Sequence, residues 1–302
     1  MTALDAPAGA PLAIIDSHQH FWDIARFSYP WMPPGPSILR RNYLPADLLP
    51  QLRACGVAST ILVEAQNTRE ETRYLLDLAD RHPLIAGVVG WVDLQSPGVE
   101  REIEAVAAHR RLVGVRHQVE SSPDDAWLAR EASIRGLRAL AAAGLPFDLI
   151  VFPRHLDAIP ILAERAPELR MVLDHLGKPD IAHGGFAAWA PRLRRIAQFP
   201  NIYCKISGLV TEADHHRWRL DDLKPYVQFA RECFGIDRLM WGSDWPVCLK
   251  AADYRATLDS ALQAIGPLSP EEREQFLAGN ARRFYRLDQP AFATTDSEEQ
   301  GG

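Results

Sequence analysis

The sequence predicts one (β/α)8 barrel of the α/β class, and three observations across its 302 residues carry that expectation. Short apolar runs of strand type recur eight times, at 13–18, 60–64, 86–92, 112–117, 147–151, 170–174, 202–206 and 238–242. Their starts lie about 32 residues apart on average, the size of one strand-plus-helix unit. The runs are continuously apolar (TILVE, GVVGWV, LVGVR) rather than alternating, as parallel strands buried on both faces require. Helical periodicity fills the gaps between them, at 69–81, 99–109, 133–143 and 155–165.

In such a barrel the C-terminal strand ends build the site, so the polar residues there are the candidates. The first run ends in Asp16-Ser17-His18-Gln19-His20. Two histidines two apart on extended chain point to one face, so both imidazoles can converge on one ion or substrate. The same spacing also fits an ordinary core or surface pair, and its place at a strand end is what favours a site. A long aromatic, proline-rich segment follows, FWDIARFSYPWMPPGPSILRRNYLP. It reads as an ordered loop over the barrel mouth, with Trp22 and Trp31 covering the substrate, or else as a packing flap.

The second run ends in Glu64 and the fourth in Arg116-His117. An arginine there suits a carboxylate or a carbonyl oxygen gaining charge, and alternation lets only one of that pair point fully inward. His155 lies four residues past the fifth run, at a site or at a helix start. The sixth run ends in Asp174-His175, where Asp174 serves the site or caps the next loop. The seventh carries Lys205, a charge that an apolar strand tolerates only if it is paired or faces the site; the same holds for Glu64. The eighth ends in MWGSDWP. There Asp244 can bind metal, take a proton from water, or cap a turn before Pro246. Beyond it, Ser269-Pro270-Glu271-Glu272 has the residues of a capping box and opens a helix to about residue 285. The barrel is expected over 13–287, with flexible ends at 1–12 and 288–302.

Composition removes several classes. Apolar residues make up 47% and charged residues 24%, as in globular proteins. A net charge of −6 argues against a nucleic-acid-binding surface, and no apolar run is long enough for a membrane span. Four cysteines without CxxC spacing suggest reduced thiols in a cytoplasmic protein. GxSxG, Walker and GxGxxG motifs are absent, which disfavours serine hydrolases, P-loop enzymes and dinucleotide enzymes.

Taken together, DSHQHFWD, GVRH, LDHLGKP, KISGL, GSDWPV and the closing GNARRFY resemble the amidohydrolase-related family of the amidohydrolase superfamily. The resemblance covers about residues 13–287 and is nearest the branch of sugar lactonases and pyrone dicarboxylate lactonases. It implies a hydrolase that opens a sugar lactone, an aldonolactone such as L-fuconolactone, by water attack on the ring carbonyl. Asp244 would be the general base, with His175, His117 and Arg116 as its catalytic partners. Trp22, Trp31, Glu64, Lys205 and Trp245 would contact substrate, and His18, His20 and Asp244 would hold a metal.

Two departures matter: no lysine ends the fourth strand and no histidine sits on the fifth, so a two-metal centre is not expected. One divalent ion, zinc first, or none at all remains open. With no metal, arginine and imidazolium donors would polarise the carbonyl. The rival readings are a zinc-dependent decarboxylase of a small unsaturated or aromatic acid, and a barrel that binds sugar acids without turning them over.

Overall fold

The computed structural model describes residues 13–32 and 34–287; the expected flexible ends lie outside the described residues. Eight parallel strands follow one another in chain order around one sheet: β1 Ile14–Gln19, β2 Val57–Val63, β3 Ile85–Gly90, β4 Leu112–Gln118, β5 Phe147–Ile150, β6 Met171–Leu173, β7 Ile202–Ile206 and β8 Leu239–Trp241. The ring nearly closes where the Asp244 N–H donates to the His18 carbonyl at 2.8 Å and the His20 N–H to the Trp245 carbonyl at 2.7 Å. Closure therefore draws the residues after β8 onto those ending β1. This is the expected barrel.

The helices lie outside the ring, and their ends follow local chemistry. Helix α1 spans Pro45–Cys55. The second, α2, spans Arg69–Arg81, opened by the Thr68 side chain accepting from the Glu71 N–H, a standard N-cap. After β3 comes α3, Val99–Ala107, and after β4 comes α4, Glu131–Ala142. Helix α5 covers only Ala158–Arg165, three residues shorter than its periodicity suggests. Residues Pro153–His155 instead make a tight turn in which His155 Nδ1 accepts from the Phe152 N–H at 3.1 Å.

Further along lie α6 Phe186–Ile196, α7 Leu209–Glu212, α8 Leu220–Phe234 and α9 Tyr254–Ile265. Ser269 and Glu272 form the expected capping box at the start of α10, Pro270–Glu274. A widened turn then leads into α11, Asn280–Tyr285. That last segment plugs the N-terminal end of the barrel. Ala278, Ala281, Phe284 and Tyr285 pack with the inward residues Ile15, Ile61, Val63, Val89, Val172 and Met240. No helix among the described residues is long and apolar enough to cross a membrane.

Inward positions change character toward the C-terminal ends. Val172 and Met240 belong to the apolar plug, and two residues on come Asp174 and Gly242. Tyr203 packs on the plug and is followed two residues later by Lys205. The floor of the site is thus a charged layer resting on an apolar one. The long first loop is ordered by its aromatics: Trp22 bridges backbone-to-backbone with Tyr43 and stands edge-on to Trp31 and Tyr43 at 5.5 Å each.

Candidate active site

A cavity of about 390 Å3 opens at the C-terminal ends of the strands. At its base β1 presents His18 and His20, with Nε2 atoms 3.2 Å apart. Asp244 Oδ1 lies 3.5 Å from His20 Nε2, 3.8 Å from His18 Nε2 and 3.8 Å from His175 Nε2. Two strand ends thus aim three imidazoles at one carboxylate oxygen that follows a third. Backbone in the left-handed region places two of these groups, since φ is +56° at Asp244 and +54° at His175. Asx side chains tolerate that region better than most, and Asp16 braces the turn by accepting from the Ser243 N–H at 2.8 Å and hydroxyl at 2.6 Å.

The outer nitrogen of each imidazole is already engaged. His20 Nδ1 is 2.8 Å from the Val63 carbonyl, and His175 Nδ1 is 2.8 Å from the Ser207 hydroxyl. His18 Nδ1 lies 3.3 Å from Asp174 Oδ1 and 3.1 Å from Lys205 Nζ. The contact to the Val63 carbonyl puts a proton on His20 Nδ1 and leaves its Nε2 lone pair facing the site. Burial drives the His18 and His175 imidazoles below their ordinary range, against the pull of Asp174 on His18 and of Asp244 on His175. Burial also opposes charge on Asp244, but His175, His20 and His18 around it prevail and hold its carboxyl below the usual range.

These donors fit a metal. In a tetrahedron with zinc bonds of about 2.0–2.1 Å, neighbouring donor atoms lie roughly 3.3 Å apart, against the 3.2, 3.5 and 3.8 Å found among His18, His20 and Asp244. Three protein ligands leave a fourth position for water or substrate, the pattern of catalytic rather than structural zinc. A second cluster, His18 with Asp174 and His175, is already filled by cations. Lys205 Nζ is 3.0 Å from Asp174 Oδ1, and Arg116 Nη1 is 3.2 Å from Asp174 Oδ2.

Beneath lies the charged layer. Arg116 lines the cavity; its Nε donates to Glu64 Oε1 at 2.7 Å and its Nη2 to the Glu64 carbonyl. Its guanidinium stays charged: burial opposes this, but Glu64 and Asp174 raise its pKa further. Lys205 donates to Asp148 Oδ2 at 2.6 Å, and the Tyr285 hydroxyl reaches the same oxygen at 2.7 Å. A fully buried ion cluster is stable only when its members pair in this way.

The structure separates the other expected residues. Trp31 lines the cavity, its indole N–H donating to the Ala65 carbonyl at 2.7 Å. Trp22 does not; it is fully buried and donates to the Leu39 and Arg41 carbonyls, so its role is to fold the loop. Trp245 is likewise packed, edge-on to Phe21 and Tyr43, away from the cavity lining.

His117 points out of the barrel. It stacks on Trp127 at 4.3 Å and accepts from Trp91 Nε1 at 2.9 Å, because alternation turns it opposite to Arg116. Glu64 and Lys205 are fully buried and off the cavity wall, Glu64 in contact with Arg116 and Lys205 with His18. His155 is buried outside the cavity lining, with Nε2 3.7 Å from Asp125. Asp174 is an ion-pair hub rather than a loop cap.

Sequence reasoning missed Asp148, whose charge within an apolar strand was the signal. It also missed the cavity residues Gln118, which ends β4; Glu120 and Lys178, in the segments after β4 and β6; and Glu212, which ends α7.

Gly208 is the tightest constraint on this geometry. Its φ is +64°, and a Cβ there would stand 2.6 Å from His175 Nδ1 and 3.1 Å from Asp244 Oδ2. Gly208→Ala is expected to cost about 1–2 kcal/mol from the left-handed backbone alone and to push His175 off Asp244. Turnover should fall at least roughly tenfold, since small misplacements of reacting groups are costly, with a lower melting temperature. Activity equal to the parent's would show that His175 has room to move.

Comparison with known proteins agrees with this architecture. The amidohydrolase family model matches residues 15–287. The chain is 41% identical over 281 residues to an L-fucono-1,5-lactonase of Burkholderia ambifaria, spanning 92% of this chain and 97% of that one. It is also 41% identical over 292 residues to an L-fucono-1,5-lactonase of Burkholderia multivorans, spanning 92% and 98%. A crystal structure of an amidohydrolase from Burkholderia multivorans with bound zinc superposes with a TM-score of 0.85 at 40% identity, covering 91% of this chain and all of that one. With the barrel, the paired histidines of β1 and the aspartate after β8 all in place, this chain belongs to the amidohydrolase family.

Proposed function

We propose that this protein hydrolyses a neutral sugar lactone to its open-chain acid. The observation that carries this is the convergence of three imidazole Nε2 atoms on Asp244 Oδ1, beside a guanidinium fixed by Glu64 and Asp174. The two lactonase relatives support it. The four unpaired thiols support a cytoplasmic setting.

A lactone carbonyl needs a nucleophilic water, a proton acceptor and a donor for the oxygen that becomes negative. Asp244, held ionised, accepts the water proton as the C–O bond forms. Arg116 spends three N–H groups on Glu64 and Asp174, turns a fourth toward His18 Nε2 at 3.3 Å, and has the last of its five for the oxyanion. The ring C–O bond then breaks, and the departing ring oxygen takes the proton from Asp244, with His175 close enough to relay it. Water is consumed, one ester bond is lost, and the product acid ionises at neutral pH. His18, His20 and Asp244 would hold a single zinc ion, which when bound supplies Lewis acidity to the water and carbonyl.

A pH-indicator assay on five- and six-membered aldonolactones tests this. Acid release is expected, with loss on chelation and recovery with zinc. Release that survives chelation would assign the two histidines to substrate rather than metal, and no release from any lactone would overturn the proposal.

A further inference from the structure

The cavity carries a second charged group, on the wall formed by three loops. Lys178, in the loop after β6, donates from Nζ to Glu120 Oε2 at 2.6 Å and lies 3.6 Å from Glu212 Oε1. Glu120 belongs to the turn after β4, and Glu212 ends α7 after β7. Arg154 holds the Glu120 backbone in place, donating to its carbonyl at 2.8 Å. All three triad side chains line the same cavity as Asp244 and remain partly accessible, at 17–20%.

The stoichiometry is informative. One ammonium faces two carboxylates, so the triad is acidic by one charge when all three ionise. Arg116 is shared between Glu64 and Asp174, and Lys205 also binds Asp174, so that layer offers the substrate no free cation. The remaining cation of the lining, Lys250, is half-buried rather than enclosed. An anionic substituent on the lactone that reaches the triad would meet its excess negative charge. Hydroxyl groups fit well, because each donates and accepts at once: the carboxylates take their protons and the ammonium its remaining N–H to their lone pairs.

We propose that Glu120, Lys178 and Glu212 read the ring hydroxyls of the lactone, confining the enzyme to neutral polyhydroxylated rings and excluding those that bear a carboxylate or sulfonate. This rests on the lactonase reading above. The alternative is a salt bridge that only ties three loops together.

The two are separated by comparing an aldono-1,5-lactone with δ-valerolactone, the same ring without hydroxyls, in the parent, E120Q and E212Q. Each substitution keeps shape and removes one charge. The ratio of kcat/KM for the hydroxylated over the bare ring should fall roughly tenfold or more, the usual effect of losing a hydrogen bond to a charged group, mainly through KM. A carboxylated lactone should gain relative to the neutral one. Equal losses on both rings, leaving the ratio unchanged, would overturn the proposal and leave a structural bridge. If either variant folds poorly, the parent alone decides, since it must prefer the hydroxylated ring over both the bare and the carboxylated ones by at least tenfold. Failure of the lactonase reading looks different, because the parent would then release acid from no lactone at all.

Discussion

Replacing Asp244 by Asn should leave a folded barrel that hydrolyses its lactone about 10²–10⁴-fold more slowly, the range expected for loss of a general base. The fold is expected to survive because the backbone at this position sits at φ +56°, a region asparagine enters as readily as aspartate. The N–H of residue 244 would still donate to the His18 carbonyl, so the join between β1 and the residues after β8 is kept. What changes is the oxygen on which three imidazoles converge. An amide there carries no charge and accepts no proton at neutral pH. It also weakens the proposed metal set, so the variant's zinc content, measured alongside kcat, separates lost base from lost ligand. A zinc-loaded variant that remains slow makes Asp244 the base. An unchanged kcat would remove it from the mechanism.

The barrel was legible because its signal is repeated: eight continuous apolar runs at one spacing leave little else to build. The site was legible in part, where a strand end fixes which residues face inward. His18 and His20 share a face by simple alternation, and Asp244 leaves an apolar strand at the mouth. Alternation also decided between Arg116 and His117, but only the register of β4 on β5, with Arg116 opposite Asp148, shows which of them faces in.

The aromatic residues misled for a different reason. Trp22 and Trp245 are as apolar as Trp31, and nothing local distinguishes a ring that closes a loop from one that lines a cavity. Asp148 could have been found by the argument applied to Lys205, since a lone acid in FDLI needs a partner. Glu120, Lys178 and Glu212 could not, because three residues so far apart in sequence meet only once the segments after β4, β6 and β7 converge on one barrel mouth.

That buried layer makes Lys205→Met the severest change to stability. The Lys205 ammonium sits 2.6 Å from Asp148 Oδ2 and 3.0 Å from Asp174 Oδ1 with no solvent access. Methionine fills most of the volume but leaves two buried carboxylates facing each other without their shared cation. Removing one partner of a buried ion cluster costs about 3–5 kcal/mol, which in a protein of this size lowers the melting temperature by roughly 10 °C.

The pH dependence has a definite sign. Burial already pushes the Asp148 carboxyl up to about 6, and Lys205 is the main influence holding it down. Without that ammonium it rises further. A carboxyl whose folded pKa lies above its unfolded value favours the fold when protonated, and that advantage is lost as pH rises through the folded pKa. The deficit of the variant should therefore be largest near pH 8 and shrink near pH 5, where Asp148 takes up a proton and the repulsion with Asp174 is relieved. Asp148→Asn combined with Lys205→Met should recover part of the loss at pH 8 for the same reason. Melting curves of the two variants at both pH values decide it, because a deficit equal at pH 5 and pH 8 would mean that Lys205 contributes packing rather than charge.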